Sequence, residues 1–179
     1  TKLRLSWGQA GNDRIGTAQF LSNMSTLNYP VGESQALNSG YVVGNIANNM
    51  LGWETTTSYN VGVDFGLFNN RIYLSADYYK KTTKDLLLKA PVSLITGFAN
   101  MMDNVGNVDN WGLEFELNTA NITTNTFRWN SSLNISLNRN KITSLGDDNS
   151  DIRSGQGNTI IQRVGNPINS YMLLRVDRT

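Results

Sequence analysis

The chain has 179 residues and a formal net charge of +1, and only 16% of its residues are charged. So small a net charge argues against nucleic acid as a partner. The absence of cysteine and histidine excludes thiol catalysis, disulfides and the commonest transition-metal ligands, and we expect no cofactor. No run of 18 or more apolar residues is present, which excludes a helical membrane span but leaves a β-barrel possible, because a barrel is signalled by alternation.

The first predicted element is a strand from about Lys2 to Gln9, in which Leu3, Leu5 and Trp7 alternate with polar residues. Glycines punctuate residues 8–16, which we interpret as loop. Residues 17–50 are polar and mixed, with at most short strands at 19–24 and 40–44. A connection of this length is uncommon in a compact soluble domain but ordinary for an extracellular loop of an outer-membrane barrel.

Residues 53–88 carry the strongest pattern, a hairpin of two long strands. Tyr59 to Leu67 and Ile72 to Tyr79 both alternate between apolar and polar side chains, so each strand has one apolar and one polar face. Asparagine tolerates positive φ better than most residues, and Asn69-Asn70 therefore predicts a tight turn.

The remaining chain continues the alternation of loops and strands. We predict a second long loop at 89–104, a strand at 105–119, a short turn at 120–125 and a strand at 127–144. A third loop at 146–158 and shorter strands at 159–164 and 170–176 follow. Strands of about 15 to 18 residues exceed the usual 5 or 6, and alternating long and short connections are typical of transmembrane barrels.

These patterns predict an all-β chain that forms a segment of an antiparallel transmembrane β-barrel, with short periplasmic turns and long extracellular loops. We expect the apolar side chains to face lipid: Val61, Val63, Phe65, Leu67, Leu113, Phe115, Leu133 and Ile135. We expect the polar side chains to face the lumen: Asn60, Asp64, Asp77, Glu114, Glu116, Asn130 and Asn134. The 25 asparagines suit a wall that faces water or sugar.

Aromatic residues suggest two further roles. Phe65, Phe68, Phe127 and Trp129 lie near the short turns and predict an aromatic girdle on the periplasmic side, although aromatics also favour strands in general. The loop aromatics that could stack on a sugar substrate are Tyr29, Tyr41 and Trp53.

Several charged clusters have a functional and a structural interpretation. Asp64, Asp77, Glu114 and Glu116 resemble paired carboxylates of a glycosidase, but a hydrated wall is favoured because nothing indicates an enclosed site. The spacing of Asp147, Asn149 and Asp151 resembles a calcium loop that lacks its glycine and glutamate. The basic residues Lys80, Lys81, Lys84 and Lys89 fit either lipopolysaccharide phosphates or a solvated strand end, and the latter is favoured.

Four segments resemble the SusC/RagA family of TonB-dependent outer-membrane transporters of Bacteroidetes. They are GQAGNDRIG (8–16), LGWETTTSYNVGVDFGLFNNRI (51–72), DYYKKTTKDLLL (77–88) and NVGNVDNWGLEFELNT (104–119). The resemblance implies a 22-stranded barrel with a plug, and import of glycan oligomers or peptides driven by TonB. It also implies a SusD-like surface lipoprotein as partner and a place in the outer membrane. Residues 1–179 would then be one part of that barrel, without the plug, the TonB-contacting segment or the remaining strands, and would not be an enzyme.

A different class remains open on the residues alone. The same apolar face would pack against a second sheet in a soluble β-sandwich, such as a carbohydrate-binding or adhesin domain. Sandwiches favour short strands with turns every 8 to 12 residues, so the long strands disfavour this alternative.

Overall fold

A five-stranded antiparallel sheet dominates the computed structural model, which describes residues 1–12, 20–32, 36–146 and 148–173. Its strands are β1 (Lys2–Asn12), β4 (Glu54–Leu67), β5 (Ile72–Pro91), β6 (Asn100–Thr123) and β7 (Arg128–Leu145), in the spatial order β1-β4-β5-β6-β7. The intervening strands β2 (Met24–Val31) and β3 (Ala36–Val43) form a separate hairpin. The prediction of an all-β chain with long strands is confirmed, since β5 has 20 residues and β6 has 24.

Two short turns lie at the same end of the sheet; the turn at Asn69-Asn70 is where it was predicted, whereas the second lies at residues 124–127, later than the predicted 120–125, because β6 continues to Thr123. Phe68, Asn69 and Asn70 have φ of 54°, 54° and 62°, and the N–H of Arg71 donates to the carbonyl of Phe68 at 3.2 Å. The second turn is closed by a 2.8 Å bond from the N–H of Thr124 to the carbonyl of Phe127.

The prediction of a long second loop at 89–104 is wrong. Strands β5 and β6 continue through half of it, and Lys89, Ala90 and Pro91 pair with Met102, Met101 and Asn100. Proline is tolerated because it is the last residue of its strand. Only residues 92–99 connect the two strands, with a 3₁₀ turn at Leu94–Thr96.

The first connection is also more ordered than predicted. The strand β1 extends to Asn12. The short strand expected at 19–24 is wrong, because β2 begins only at Met24 and runs to Val31, and β3 begins four residues before the strand expected at 40–44. Residues 13–19 lie outside the described part of the chain. Among the residues that the structure describes, no helix is long and apolar enough to cross a membrane.

Four β-bulges interrupt the pairing of the main sheet and change which face some side chains occupy: the extra residue Asn121 of β6 lies near the second short turn, and the other three lie towards the opposite end of the strands. An extra residue at Asp85 in β5, with φ of 59°, and another at Val105 in β6 interrupt the β5–β6 register. A third extra residue, Thr143 in β7, opposes the Asn107–Val108 step of β6. A bulge shifts the alternation by one residue, so Leu86 and Leu145 lie on the otherwise polar face, where Ile142 already lies by unbroken alternation with Asn138 and Asn140.

The best-buried apolar side chains lie where this shift occurs. Ile142 and Leu145 of β7 and Ile161 are 1%, 2% and 3% exposed. Ile161 belongs to a small sheet of β8 (Ile152–Ser154), β9 (Ile160–Gln162) and β10 (Ser170–Tyr171), in the order β10-β9-β8. The backbone of Ile142 bonds to Gly165 and Asn166 at 2.9 Å each, which holds the segment after β9 against the edge of β7.

Candidate functional site

Register and alternation divide the main sheet into two chemically distinct faces. We call a row the set of direct cross-strand neighbours, one from each strand. One row on the apolar face is Leu3–Val63–Ala76–Phe115–Ile135, and the next is Leu5–Val61–Tyr78–Leu113–Leu137. One row on the polar face is Lys2–Asp64–Ser75–Glu116–Asn134, and the next is Arg4–Gly62–Asp77–Glu114–Ser136.

Every residue that the sequence assigned to lipid lies on the apolar face, and every residue assigned to the lumen lies on the polar face. The structure therefore brings each set together, although which face meets lipid stays a prediction. Large apolar side chains are exposed: Leu5 by 68%, Ile135 by 57% and Leu113 by 49%. Among the described residues no second sheet covers this face, which argues against the β-sandwich alternative.

The apolar face ends in a row of aromatic and basic side chains, which we call the aromatic row. Its members are Trp7, Tyr59, Lys80, Trp111 and Arg139. Eight residue steps separate Tyr59 from Leu67 at the short turn, about 26 Å at about 3.3 Å per residue. That length is close to the apolar band of about 25 Å in membrane barrels. Sequence inspection missed this row because its five members come from five separate strands.

The polar face is held together by one cation that spans three strands. Arg4 on β1 donates to both carboxylate oxygens of Asp64 on β4, at 3.1 and 2.7 Å, and to Asp77 Oδ2 on β5 at 2.8 Å. Ser75 Oγ, in a residue only 8% exposed, accepts from Arg4 at 2.9 Å and lies 2.8 Å from Asp64 Oδ1. Asp64 and Asp77 therefore both take part in hydrogen bonds and ion pairs that join different strands.

Glycines on the polar face make room for side chains that cross a whole strand. A Cβ at Gly62 would lie 2.2 Å from Asp77 Oδ1 and 2.9 Å from Arg4 Cζ, so Arg4 reaches Asp77 only because β4 has no side chain there. The ring of Tyr79 covers Gly112 in the same way, and its hydroxyl accepts from Asn138 Nδ2 at 2.9 Å. These crossings tie β1 to β5 and β5 to β7.

The other two carboxylates have a more open setting. Glu114 lies opposite Asp77 in the register, and Glu116 accepts from Asn118 Nδ2 at 2.6 Å. Both border a shallow groove of about 300 Å³ on the polar face. The groove is open, and an exposed pair of this kind has none of the enclosure that acid–base catalysis requires.

The three loop aromatics do not form a common site. Tyr29 packs over Gly40 on one face of the β2–β3 hairpin, and the pairing of Tyr41 with Thr26 places Tyr41 on the other face. Trp53 packs against Gly11, 3.3 Å from the position of a Cβ there. Gly11 pairs with Thr55 on the side of the apolar face, so Trp53 lies on that side of the wall.

The segment after β7 is fixed by an ion pair. Arg163 Nε donates to Asp151 Oδ1 at 2.9 Å, and this bond lowers the pKa of Asp151 and raises that of Arg163. Hydrogen bonds from the hydroxyl and N–H of Ser150 lower the pKa of Asp148.

The possible calcium loop gains no support. Asp147 lies outside the described residues, and the Asn149 side chain accepts from the N–H of Leu145 at 2.9 Å. Within the described ranges, no group of three or more acidic residues is placed to hold a metal ion.

Comparison with known proteins gives a consistent picture. A family model described as "TonB dependent receptor-like, beta-barrel" matches residues 1–173. The chain is 38% identical over 176 residues to TonB-dependent receptor P3 of Formosa agariphila, covering 95% of this chain and 17% of that protein. It is 37% identical over 186 residues to TonB-dependent receptor SusC of Bacteroides thetaiotaomicron, covering 95% and 18%.

Solved structures match as well. The RagAB peptide transporter superposes with a TM-score of 0.79 at 30% identity, over 94% of this chain and 18% of that one. The RagAB peptide importer matches with a TM-score of 0.78 in both its "closed-closed" and its "open-open" states. The chain thus spans less than one fifth of the length of these relatives.

Proposed function

The chain belongs to the family of TonB-dependent receptor-like β-barrels, and from this premise we propose that it forms part of the barrel wall of an outer-membrane nutrient importer of the SusC/RagA type. The observation that supports this most directly is the sheet itself. One face of the sheet is apolar over a length close to that of the apolar band of membrane barrels. The other face is polar, and hydrogen bonds link its side chains. The apolar face would meet lipid, and the polar face would line the passage.

The short turns would lie at the periplasmic rim, and the long connections would project outside the cell. Phe68, Phe127 and Trp129 lie at the short-turn end, 73%, 57% and 53% exposed, where a periplasmic girdle would sit. The aromatic row would mark the opposite interface. The equal match to two states of RagAB supports a wall that keeps its shape during the transport cycle.

The cargo would be a glycan oligomer or a peptide. The polar face presents amide and hydroxyl groups beside charges of both signs, some of them paired with each other, and the amides and hydroxyls suit either cargo because both expose uncharged hydrogen-bonding groups. Import would draw energy from TonB through parts of the barrel outside this chain, with a SusD-like lipoprotein as partner. We assign no catalytic step to Glu114 and Glu116, and the absence of enzymatic activity stays a prediction.

Adjacent residues on β7 provide a matched test of the wall. Leu133→Arg places a charge in the apolar band, where the cost rises from about 0–1 kcal/mol near the interfaces to about 2–4 kcal/mol at the bilayer midplane. Asn134→Arg places the same charge on the polar face. In the full-length transporter, we expect Leu133→Arg to lower the amount of folded, heat-modifiable barrel in outer-membrane fractions, and Asn134→Arg to leave it near the wild-type level.

Uptake tests the transport step. TonB-dependent uptake of labelled oligosaccharide or labelled peptide should follow the amount of assembled barrel in both variants. The opposite ranking of the two variants, or uptake that is unchanged when TonB is deleted, would contradict the proposal.

A further inference from the structure

We propose that four cations, two in the aromatic row and two just beyond it, bind the phosphates of lipid A in the outer leaflet of the outer membrane. They are Lys80, Lys84, Arg139 and Lys141, which we call the basic strip. The proposal rests on the proposed function, because it requires the apolar face to meet lipid.

The sheet brings together residues that are far apart in the chain. Lys80 on β5 and Arg139 on β7 both flank Trp111 of β6 in the aromatic row. Lys141 lies one row further from the short turns, opposite Asp109, and Lys84 lies two rows further, opposite Thr55 of β4. Adjacent strands are about 4.8 Å apart, so the backbones of Lys80 and Arg139 are about 10 Å apart.

The structure divides the basic residues that looked like one cluster in the sequence. Lys80 and Lys84 lie on the side of the apolar face. Lys81 lies on the polar face, where its Nζ is 5.5 Å from the centre of the Tyr79 ring. The strip therefore combines two cations from β5 with two from β7.

Most of the charge in the strip is not neutralised by protein. Lys80 pairs with Asp109 at 3.3 Å, whereas Lys84, Arg139 and Lys141 form no ion pair within the described residues. All four side chains are exposed. An unneutralised group of cations of this kind complements a phosphorylated headgroup.

Its position relative to the apolar band favours a lipid over a dissolved ligand. The strip begins in the row that ends the band and continues into the next polar rows, which is the level of the headgroups. The opposite end of the apolar face differs. Its last two rows carry no charged side chain: Leu67–Ile72–Thr119–Ser131 and Phe65–Leu74–Leu117–Leu133. This asymmetry matches an outer leaflet whose lipid A carries more negative charge than the phospholipids of the inner leaflet.

The experiment uses the full-length transporter that contains this chain, delipidated in detergent and offered defined lipids at low salt. Bound lipid is counted by native mass spectrometry with bisphosphorylated lipid A, dephosphorylated lipid A and phosphatidylglycerol. One variant combines Lys84→Gln, Arg139→Gln and Lys141→Gln. The control removes the same charge from the polar face: Lys2→Gln, Lys81→Gln and Arg128→Gln.

We expect wild type and control to bind bisphosphorylated lipid A more tightly than the other two lipids. Each basic residue near a charged membrane surface strengthens binding by roughly fivefold, so the strip variant should lose about a hundredfold. Unchanged binding in the strip variant, equal loss in the control, or equal binding of all three lipids by wild type would overturn the proposal.

Assembly in the outer membrane and cargo uptake are measured on the same variants. If the strip variant assembles and transports but binds lipid A like wild type, only this inference fails. If the wild-type protein does not reside in the outer membrane, the proposed function fails first.

Discussion

Replacing Ile142 by alanine is expected to release the small sheet β8-β9-β10 from the main sheet. Ile142 is 1% exposed and, with Leu145 and Ile161, is one of the three buried apolar side chains in the described part of the chain. Its backbone holds Gly165 and Asn166 against the edge of β7. Deleting its side chain therefore weakens the packing that keeps these hydrogen bonds closed.

The size of the effect follows from burial. Truncating a buried Leu, Ile or Met to alanine costs about 2–5 kcal/mol, with a cavity contribution where the site does not collapse. A loss of about 3 kcal/mol corresponds to a rise of roughly a hundredfold in the opening equilibrium. If the core controls local opening, amide protection in the small sheet should fall by that factor.

Hydrogen exchange on the assembled barrel measures this directly. The reporters are the N–H of Gly165, bonded to the carbonyl of Ile142 at 2.9 Å, and the N–H of Met172, bonded to the carbonyl of Thr159 at 2.8 Å. Exchange should accelerate at both, while amides paired between β4 and β5 stay protected.

The matched control is Ile135→Ala, which makes the same change on the same strand at a side chain that is 57% exposed. It should leave exchange in the small sheet within about twofold of wild type. The reasoning is refuted if Ile142→Ala leaves Gly165 and Met172 protected, or if Ile135→Ala exposes them equally.

Two further predictions concern the ion pairs Arg4–Asp77 and Arg163–Asp151. Gly62→Ala should displace the Arg4–Asp77 contact and lower the unfolding temperature of the barrel, whereas Gly8→Ala should not, because nothing lies within 4 Å of a Cβ at Gly8; equal melting of the two variants would contradict this. The pKa of the Asp151 carboxylate is lowered in the folded state. The stability that its pairing with Arg163 gives to the small sheet is therefore present above the ordinary pKa of about 3.9 and is lost as the pH falls below that value. Exchange in the small sheet, corrected for intrinsic rates, should therefore accelerate below about pH 4 in wild type and lose this dependence in Asp151→Asn; an identical pH profile in both would contradict the role of the Arg163 pair.

Much of the fold could be predicted from the sequence because alternation is a local property. Period-two patterning assigns each side chain of Tyr59–Leu67 and Ile72–Tyr79 to a face without knowledge of any partner strand. Asn69-Asn70 identified the turn, since positive φ restricts the residues that fit there. The long strands were also predictable, although β5 was predicted to end three residues before Pro91 and β6 to begin five residues after Asn100.

The register and its interruptions required the tertiary structure. The extra residues at Asp85 and Thr143 shift the alternation by one, and this moves Leu86 and Leu145 to the polar face, where a core forms. No local pattern marks such a shift, because the bulge depends on which residues the neighbouring strand offers. Likewise, the strand neighbours that place Lys80 beside Trp111 and Arg139, or carry Arg4 across Gly62 to Asp77, are set by pairing between distant segments. The sequence by itself determined the two faces of the wall, and the tertiary structure decided which residues of different strands meet on each face.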